Sequence, residues 1–587
     1  MRIGLLTEGG YPYVSGDARL WCDRLVRGLG QHEFDIYALS RSRRQEDEGW
    51  LPLPPHVSRV RTAALWTAEE DGVAYGRRAR RRFVESYGEL AGVLCAGPGI
   101  GGSAGQGLDG AGGAEGSGVE PGDLADRFGS ALYGLAELAR DEGGLVGALR
   151  SDTAVRTLER ACRAPGALGT AREARVPDLL AVAAHLERIL RPLSLDWYDD
   201  DGLGAADLCH VTAGGPAALP GLLARHFSDV PLLVTEYGVQ LRSHYLASGP
   251  DAAAPAVRAL LAAFHGRLAA EAYGRAAIIT PGNAHARRWQ ERCGADRSRI
   301  RTVHPGMDAS RFAEVGEAPD RADPDTLVWV GRTEPSKDLV SLLHAFAEVR
   351  KEEPKARLRV VGAPTGPEGD AYLGHCKALA AQLFPDEAEG VHAVGDNPVA
   401  FEEIGGPEAP TLADAYASGS VVVLSSVVEG FPVGLVEAMF CARATVSTDV
   451  GAVVEVIGGT GLVVPPRNPR ALAEACVALL RDPERRDRLG AAARARALEL
   501  FTVEQNIAAF HGIYLEIVSH CPVRRVVLDE AGEPLPFAVP AEAHVPGRWT
   551  GPTARVVNRG GPGWALGAPL RPTPVRATPL AATEGVL

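Results

Sequence analysis

Twice along this chain, short apolar runs alternate with stretches of helical period, and this doubled alternation restricts the fold more than any other feature. The first run, "RIGLL" (2–6), ends in Thr7, Glu8, Gly9 and Gly10. Leu20, Trp21, Leu25, Val26 and Leu29 then recur at helical spacing, and "FDIYAL" (34–39) follows directly. A strand, a helix and a second strand so close together imply parallel pairing with a right-handed crossover. Further strands are expected at "DLCHVT" (207–212), "PLLVTE" (231–236) and "AAIIT" (276–280), with helices between them, the longest over 251–273. A helix over 284–293 and a short extended segment at 300–306 complete the array. Residues 313–325 are acidic, with Pro and Ala, and read as a linker.

The series then restarts with "LVWVGR" (327–332), a helix from about 337, "RLRVVG" (357–362), a helix, "VVVLSS" (421–426), a helix from 434, and "ATVSTD" (444–449). The expected class is α/β, with two facing doubly wound, Rossmann-like domains over 1–312 and 326–500. A last helix over 501–518 is expected to pack back on the first domain. In such folds ligands sit at the carboxyl ends of the strands.

Two segments break the rhythm. Twelve of the 26 residues in 97–122 are Gly, which reads as a surface insertion, and 124–192 reads as a helical elaboration of the first domain. Residues 531–587 hold 10 Pro and 8 Gly and read as a disordered tail. The formal charge of −13 disfavours nucleic acid or anionic lipid as partner. Nine scattered Cys without a CxxC are read as reduced core thiols of a cytoplasmic protein, not as a disulfide framework or zinc site. No run approaches the ~18–20 apolar residues of a membrane span.

The chemistry concentrates in the second array. Arg332 follows a strand and Lys337 stands where the next helix opens, a place where cations and helix N–H groups could meet a diphosphate. Alone, such a pair is usually just solvated surface. In "VVEGFPVGLVEAM" (427–439), Glu429 lies in the loop after a strand and Glu437 in the following helix, while Gly430, Pro432 and Gly434 allow close backbone approach to a ligand. Two carboxylates suit sugar and ribose hydroxyls, although each alone reads as an ordinary exposed or first-turn acid.

Together, "GRTEPSKD" (331–338) and "EGFPVGLVE" (429–437) resemble the donor site of family-four glycosyltransferases of the GT-B fold. "TDVGAVVEVI" (448–457) and "GLVVPPRNPRALAEA" (461–475) are similar to the family's closing segments. The resemblance implies that Arg332 and Lys337 contact the donor diphosphate, that Glu429 sits by the donor sugar, and that Glu437 binds the ribose. The loop Gly430, Phe431, Pro432, Val433, Gly434 and Leu435 would lend backbone N–H groups. "LLTEGGYPYVSGDARLWCDRLVRGL" (5–29), "PLLVTEYGVQLRSHYL" (231–246) and "WQERCGADRSRIRTVHPGMDASRF" (289–312) resemble the PelF-type, exopolysaccharide-linked branch, with the first domain on the acceptor side.

The implied activity is retaining transfer of a hexosyl unit from a nucleotide sugar, UDP favoured over GDP or ADP, to a saccharide or other acceptor. The nucleotide sugar is a substrate, so no cofactor is implied, and no divalent metal is expected. Partners in polysaccharide synthesis follow from the branch. Three positions depart from it: Asp17 after Gly16, where the branch has a second Gly; Tyr237 in place of His; and Gln240 in place of an aromatic residue. Gly16, Asp17 and Tyr237 are expected beside the donor. These departures keep open a nucleotide-sugar-binding or scaffold subunit with weak catalysis. An epimerase of the same fold lacks support, and the glycines near "TEGGYPYVSGD" do not follow dinucleotide spacing.

Overall fold

The computed structural model describes residues 1–16, 19–96, 121–246, 253–317, 322–385 and 397–523. Asp17, the tail 531–587 and residues 97–120 of the insertion lie outside the described residues. Pro121 and Gly122, counted above with the insertion, instead open the helix Pro121–Glu142, where a proline without an N–H costs the first turn nothing.

Two six-stranded parallel sheets form the body. The first holds β1 (Arg2–Glu8), β2 (Glu33–Ser40), β3 (Val57–Ala64), β4 (Leu208–Val211), β5 (Leu232–Glu236) and β6 (Ile278–Pro281), in the order β3-β2-β1-β4-β5-β6. The second holds β7 (Asp323–Val330), β8 (Arg357–Val361), β9 (Val399–Glu402), β10 (Gly419–Leu424), β11 (Ala444–Thr448) and β12 (Leu462–Val464), in the order β12-β11-β10-β7-β8-β9. The two orders are the same, with the direction of winding reversing between β1 and β4 and again between β7 and β10. Each reversal leaves a crevice at the carboxyl ends of its two central strands.

The middles of the central strands are buried and mostly apolar because helices cover both faces. Within β1, Ile3 and Leu5 enter one core and Leu6 another, following the alternation of a strand. The second core of the first domain includes the helical region: Phe83, Tyr87, Leu132 and Leu186 are buried in it. The opposite core is closed by the last helix, Val503–His520, whose Phe510, Ile513, Tyr514 and Ile517 pack with Trp21 and Leu25. That helix crosses to the first domain beside a short parallel bridge between Met307 and Thr502. Eight of the nine cysteines are buried as free thiols and Cys521 is partly exposed.

The stretch expected as a linker, 313–325, is largely structured. Ala313–Glu317 is a helix, and β7 begins at Asp323, two residues before the expected end. Asp323 looks like linker because it is exposed, yet its carboxylate accepts from the Thr326 hydroxyl at 2.9 Å and its backbone pairs with Gly419. The edge strands β3, β9 and β12 were not foreseen. Their half-exposed sequences, such as "VSRVRTAA" in β3, lack the continuous apolar run of a central strand.

Candidate functional site

The second crevice is built by the loops that leave β7 and β10. After β7 the chain makes a tight turn at Pro335–Lys337, and Asp338 takes a left-handed conformation (φ 48°). The Asp338 carboxylate then caps the helix Leu339–Glu352 by accepting from the Ser341 N–H at 3.3 Å. The Ser425 hydroxyl, just past β10, donates to the Lys337 carbonyl at 2.7 Å, and the Val427 N–H donates to the Ser336 carbonyl at 2.9 Å. These bonds tie the two loops together and aim Lys337 at the next one.

There Lys337 Nζ meets both carboxylate oxygens of Glu429, at 2.7 and 3.0 Å. The two side chains are only 14% and 11% exposed, so solvent screens the pair poorly. The Glu429 loop is held from two more sides. The Ala452 N–H donates to the Gly430 carbonyl at 3.1 Å, and Arg242 Nη2, from the first domain, donates to the Glu429 carbonyl at 3.1 Å. Gly451 makes the first of these contacts practicable: its φ is +58°, and a Cβ there would lie 2.4 Å from the Glu429 carbonyl oxygen. Arg242 is half-buried, and its burial pulls the guanidinium down from its usual value while Glu429 opposes the shift.

Glu437 sits on the helix Val433–Phe440, one strand-end away from Lys337. Its carboxylate accepts from the Tyr416 hydroxyl at 2.9 Å. Burial pushes the Glu437 carboxyl above the usual carboxylate range, with the Tyr416 bond and the Arg311 charge acting against it. Of the loop amides singled out by sequence, Val433 N–H donates to the Phe431 carbonyl at 3.0 Å and Leu435 N–H to the Pro432 carbonyl at 3.1 Å. Those two are therefore spent within the turn. The helix start still turns its positive end toward the Glu429 loop.

Arg332 is not drawn into the Lys337–Glu429 pair. It is 69% exposed, and its guanidinium lies 3.9 Å from Glu334. On the facing domain, Gly16 has φ +111°, and a Cβ there would overlap the Gly9 carbonyl at 1.8 Å, so this turn closes only on glycine. The Tyr237 hydroxyl accepts from Asn506 Nδ2 at 3.2 Å, and its ring meets Trp21 edge-on at 5.1 Å. Gln240 opens the helix Gln240–Leu246 and its N–H is capped by the buried Glu236 carboxylate at 2.9 Å.

Four cleft residues were missed by the sequence reading. Arg242 stands six positions after the Thr-Glu pair that ends β5, a cation one helical turn into the next element, which is a usable signal. Tyr416 gives none, since only folding carries it 21 residues back onto Glu437. His304 donates from Nδ1 to the Gly282 carbonyl at 3.0 Å and turns Nε2 toward Glu455, 3.9 Å away. Glu455 itself accepts the Ala284 N–H at 2.6 Å, linking the two domains across the cleft. Among the described residues no group of three or more His, Cys, Asp and Glu is placed to hold a metal ion, and no helix is long and apolar enough to cross a membrane.

Residues 324–482 match the family described as glycosyl transferases group 1. Residues 1–101 and 129–298 match a domain of unknown function. The chain is 34% identical over 291 residues to the D-inositol 3-phosphate glycosyltransferase of Kineococcus radiotolerans, covering 46% of this chain and 62% of that protein. It is 33% identical over 236 residues to the protein of the same name from Streptomyces bingchenggensis, covering 38% of this chain and 49% of the relative. The matched region thus spans about half to three fifths of these relatives. In fold, the chain is similar to Anabaena HepE in complex with UDP (TM-score 0.50, 14% identity, 87% of this chain and 99% of that one). It is likewise similar to sucrose-phosphate synthase from Thermosynechococcus elongatus (TM-score 0.50, 16% identity, 88% and 99%). Lys337, Glu429 and Glu437 all lie inside the span that matches the glycosyl transferases group 1 family, and the two wound sheets share the fold of these structural neighbours.

Proposed function

We propose that the protein is a retaining glycosyltransferase that moves a hexosyl unit from a nucleoside diphosphate sugar, UDP favoured, to a saccharide acceptor. The poorly solvated Lys337–Glu429 pair at the crevice between β7 and β10 carries this reading. A donor diphosphate can take over part of the Lys337 charge, which frees a Glu429 oxygen for a sugar hydroxyl. Arg332, exposed at the rim, can swing onto the same diphosphate and add a bidentate contact. Glu437, already accepting from Tyr416, has lone pairs left for a ribose hydroxyl.

In this mechanism the protein lends no nucleophile. The leaving diphosphate takes the acceptor's proton on the face it vacates, while Lys337 and Arg332 hold the charge that builds on it. The metal-independent route follows from those two cations doing the neutralising. The PelF-type resemblance of the first domain points to an exopolysaccharide acceptor and to partners in polysaccharide synthesis, in the cytoplasm. One observation favours a second reading, a nucleotide-sugar-binding subunit with weak catalysis: the Tyr237 hydroxyl is engaged by Asn506, so it offers the donor less than a free ring nitrogen would.

Thermal shift against a panel of nucleotide sugars separates these outcomes, with Lys337→Ala as control. A donor at ~100 times its Kd adds about 2.7 kcal/mol to the folded state. Stabilisation of the native protein and not of Lys337→Ala, followed by turnover with that donor, is the expected result. Stabilisation without turnover for any acceptor selects the second reading. No shift with any nucleotide sugar overturns both.

A further inference from the structure

A feature that the donor site leaves unused lies at the β3 edge of the first sheet. A cavity of about 890 Å³ opens at the carboxyl ends of β2 and β3, within the range of small-molecule sites. Two tryptophans stand on its wall, Trp50 47% exposed and Trp66 38% exposed. Indoles left in water are costly unless something covers them. The helical elaboration supplies the opposite wall through Val146 and the segment around Arg191.

Arg191 decides what kind of ligand fits. Its Nε and Nη2 pair with the Glu187 carboxylate, each at 2.8 Å. Its Nη1 donates to the carbonyls of Ala64, Leu65 and Thr67. The guanidinium is thus consumed in fixing the loop that bears Trp66, which pre-forms the wall and removes the cation a phosphate would need. What faces the space is two indoles, hydroxyls such as Thr62 and Thr67, and the carboxylates of Glu46 and Glu69. Pyranose rings offer one face of weakly positive C–H groups, which suits an indole face, and a rim of hydroxyls, which suits carboxylates and threonines.

The cavity is also joined to the cleft. Trp50 pairs with Tyr13 in an antiparallel bridge, Leu51 N–H donates to the Pro12 carbonyl at 2.9 Å, and Val14 N–H donates to the Gly49 carbonyl at 3.1 Å. The wall of the cavity and the loop 9–16 at the crevice between β1 and β4 are therefore one assembly. We propose that this cavity is a saccharide-binding subsite of the first domain, which holds a neutral stretch of an acceptor glycan on Trp50 and Trp66 while its end reaches the cleft. The reaching end rests on the transferase reading, whereas the binding does not.

The test is binding of neutral malto-, cello- and chito-oligosaccharides of two to six residues, measured by calorimetry and tryptophan fluorescence on the full chain without nucleotide. Nucleotide-sugar thermal shift on the same samples reads the donor site separately. The expected result is that at least one series binds, that affinity rises with chain length, and that Trp50→Ala and Trp66→Ala each weaken it tenfold or more. Trp66→Phe, which keeps a ring, recovers part of the affinity and shows that the alanine effect is not misfolding. A preserved donor shift in every variant leaves the donor reading standing whatever the saccharides do. Saccharide binding without any donor shift sinks the transferase reading and keeps the subsite. No binding by any series, binding indifferent to both tryptophans, or capture through these tryptophans of a protein partner instead of a sugar overturns the proposal.

Discussion

Replacing Lys337 by Met leaves Glu429 as a nearly buried carboxylate without its cation, and Glu429→Gln leaves the converse. Breaking a fully buried pair costs ~3–5 kcal/mol, and an exposed one ~0–1 kcal/mol. With the partners 14% and 11% exposed, each single substitution should cost about 2–3 kcal/mol. The double variant leaves no stranded charge, and the Arg242 bond to residue 429 survives because it goes to the backbone carbonyl. Its cost should be no more than about 1–2 kcal/mol against about 4–6 kcal/mol for the two singles summed, so the cycle should yield a coupling of at least about 2 kcal/mol, toward the upper end of what contacting residues show. Urea unfolding followed by fluorescence reads this, since Trp329 is fully buried in the same domain. Additive single effects, agreeing within ~0.5 kcal/mol with the double variant, would show that the pair is not held in solution, and the argument for the site would fall with it.

Three further outcomes follow from the same structure. Burial raises the Glu437 carboxyl, so its native state holds the proton more tightly than the unfolded chain, and stability falls as pH climbs from ~4.3 through the raised value. Glu437→Gln should remove that slope, stabilise the free protein at pH 7 relative to pH 4, and weaken nucleotide-sugar binding; an unchanged slope in melts from pH 4 to 8 would contradict this. His210 is fully buried between the Tyr514 hydroxyl and Thr235 Oγ1, 2.7 Å from each, and burial pulls it down to about 3. Its contribution is complete above ~6.5 and lost as pH falls, by ~1.4 kcal/mol per unit, so His210→Phe should flatten the acid limb between pH 6.5 and 5. Gly451→Ala should cost about 1–3 kcal/mol and loosen the Glu429 loop, lowering donor affinity more than it lowers stability elsewhere; thermal shift with and without nucleotide sugar checks both.

Much of the molecule can be read before folding. The central strands of both sheets are legible because they are covered on two faces, so their apolar character is continuous along the chain. The site's cations and carboxylates are legible as positions, since Lys337, Glu429 and Glu437 each follow a strand end where an open α/β sheet places its ligands. The edge strands β3, β9 and β12 are not, because much of each is only partly buried, and β3 carries residues such as Arg59 and Arg61. The segment 313–325 misleads for the same reason, its strand residues being chosen by hydrogen bonds that sequence does not display.

By itself, then, the sequence determined two wound sheets and which loops hold charge. Pairing belonged to the tertiary structure. It joined Lys337 to Glu429 across 92 positions and Tyr416 to Glu437, while leaving Arg332 in solvent. It also turned the Tyr237 hydroxyl toward Asn506, which arrives from a helix 269 residues away. A residue's type fixes which bonds it can make, whereas its partner depends on which backbone the packed core brings within about 3 Å, and that is settled only when the whole chain has closed.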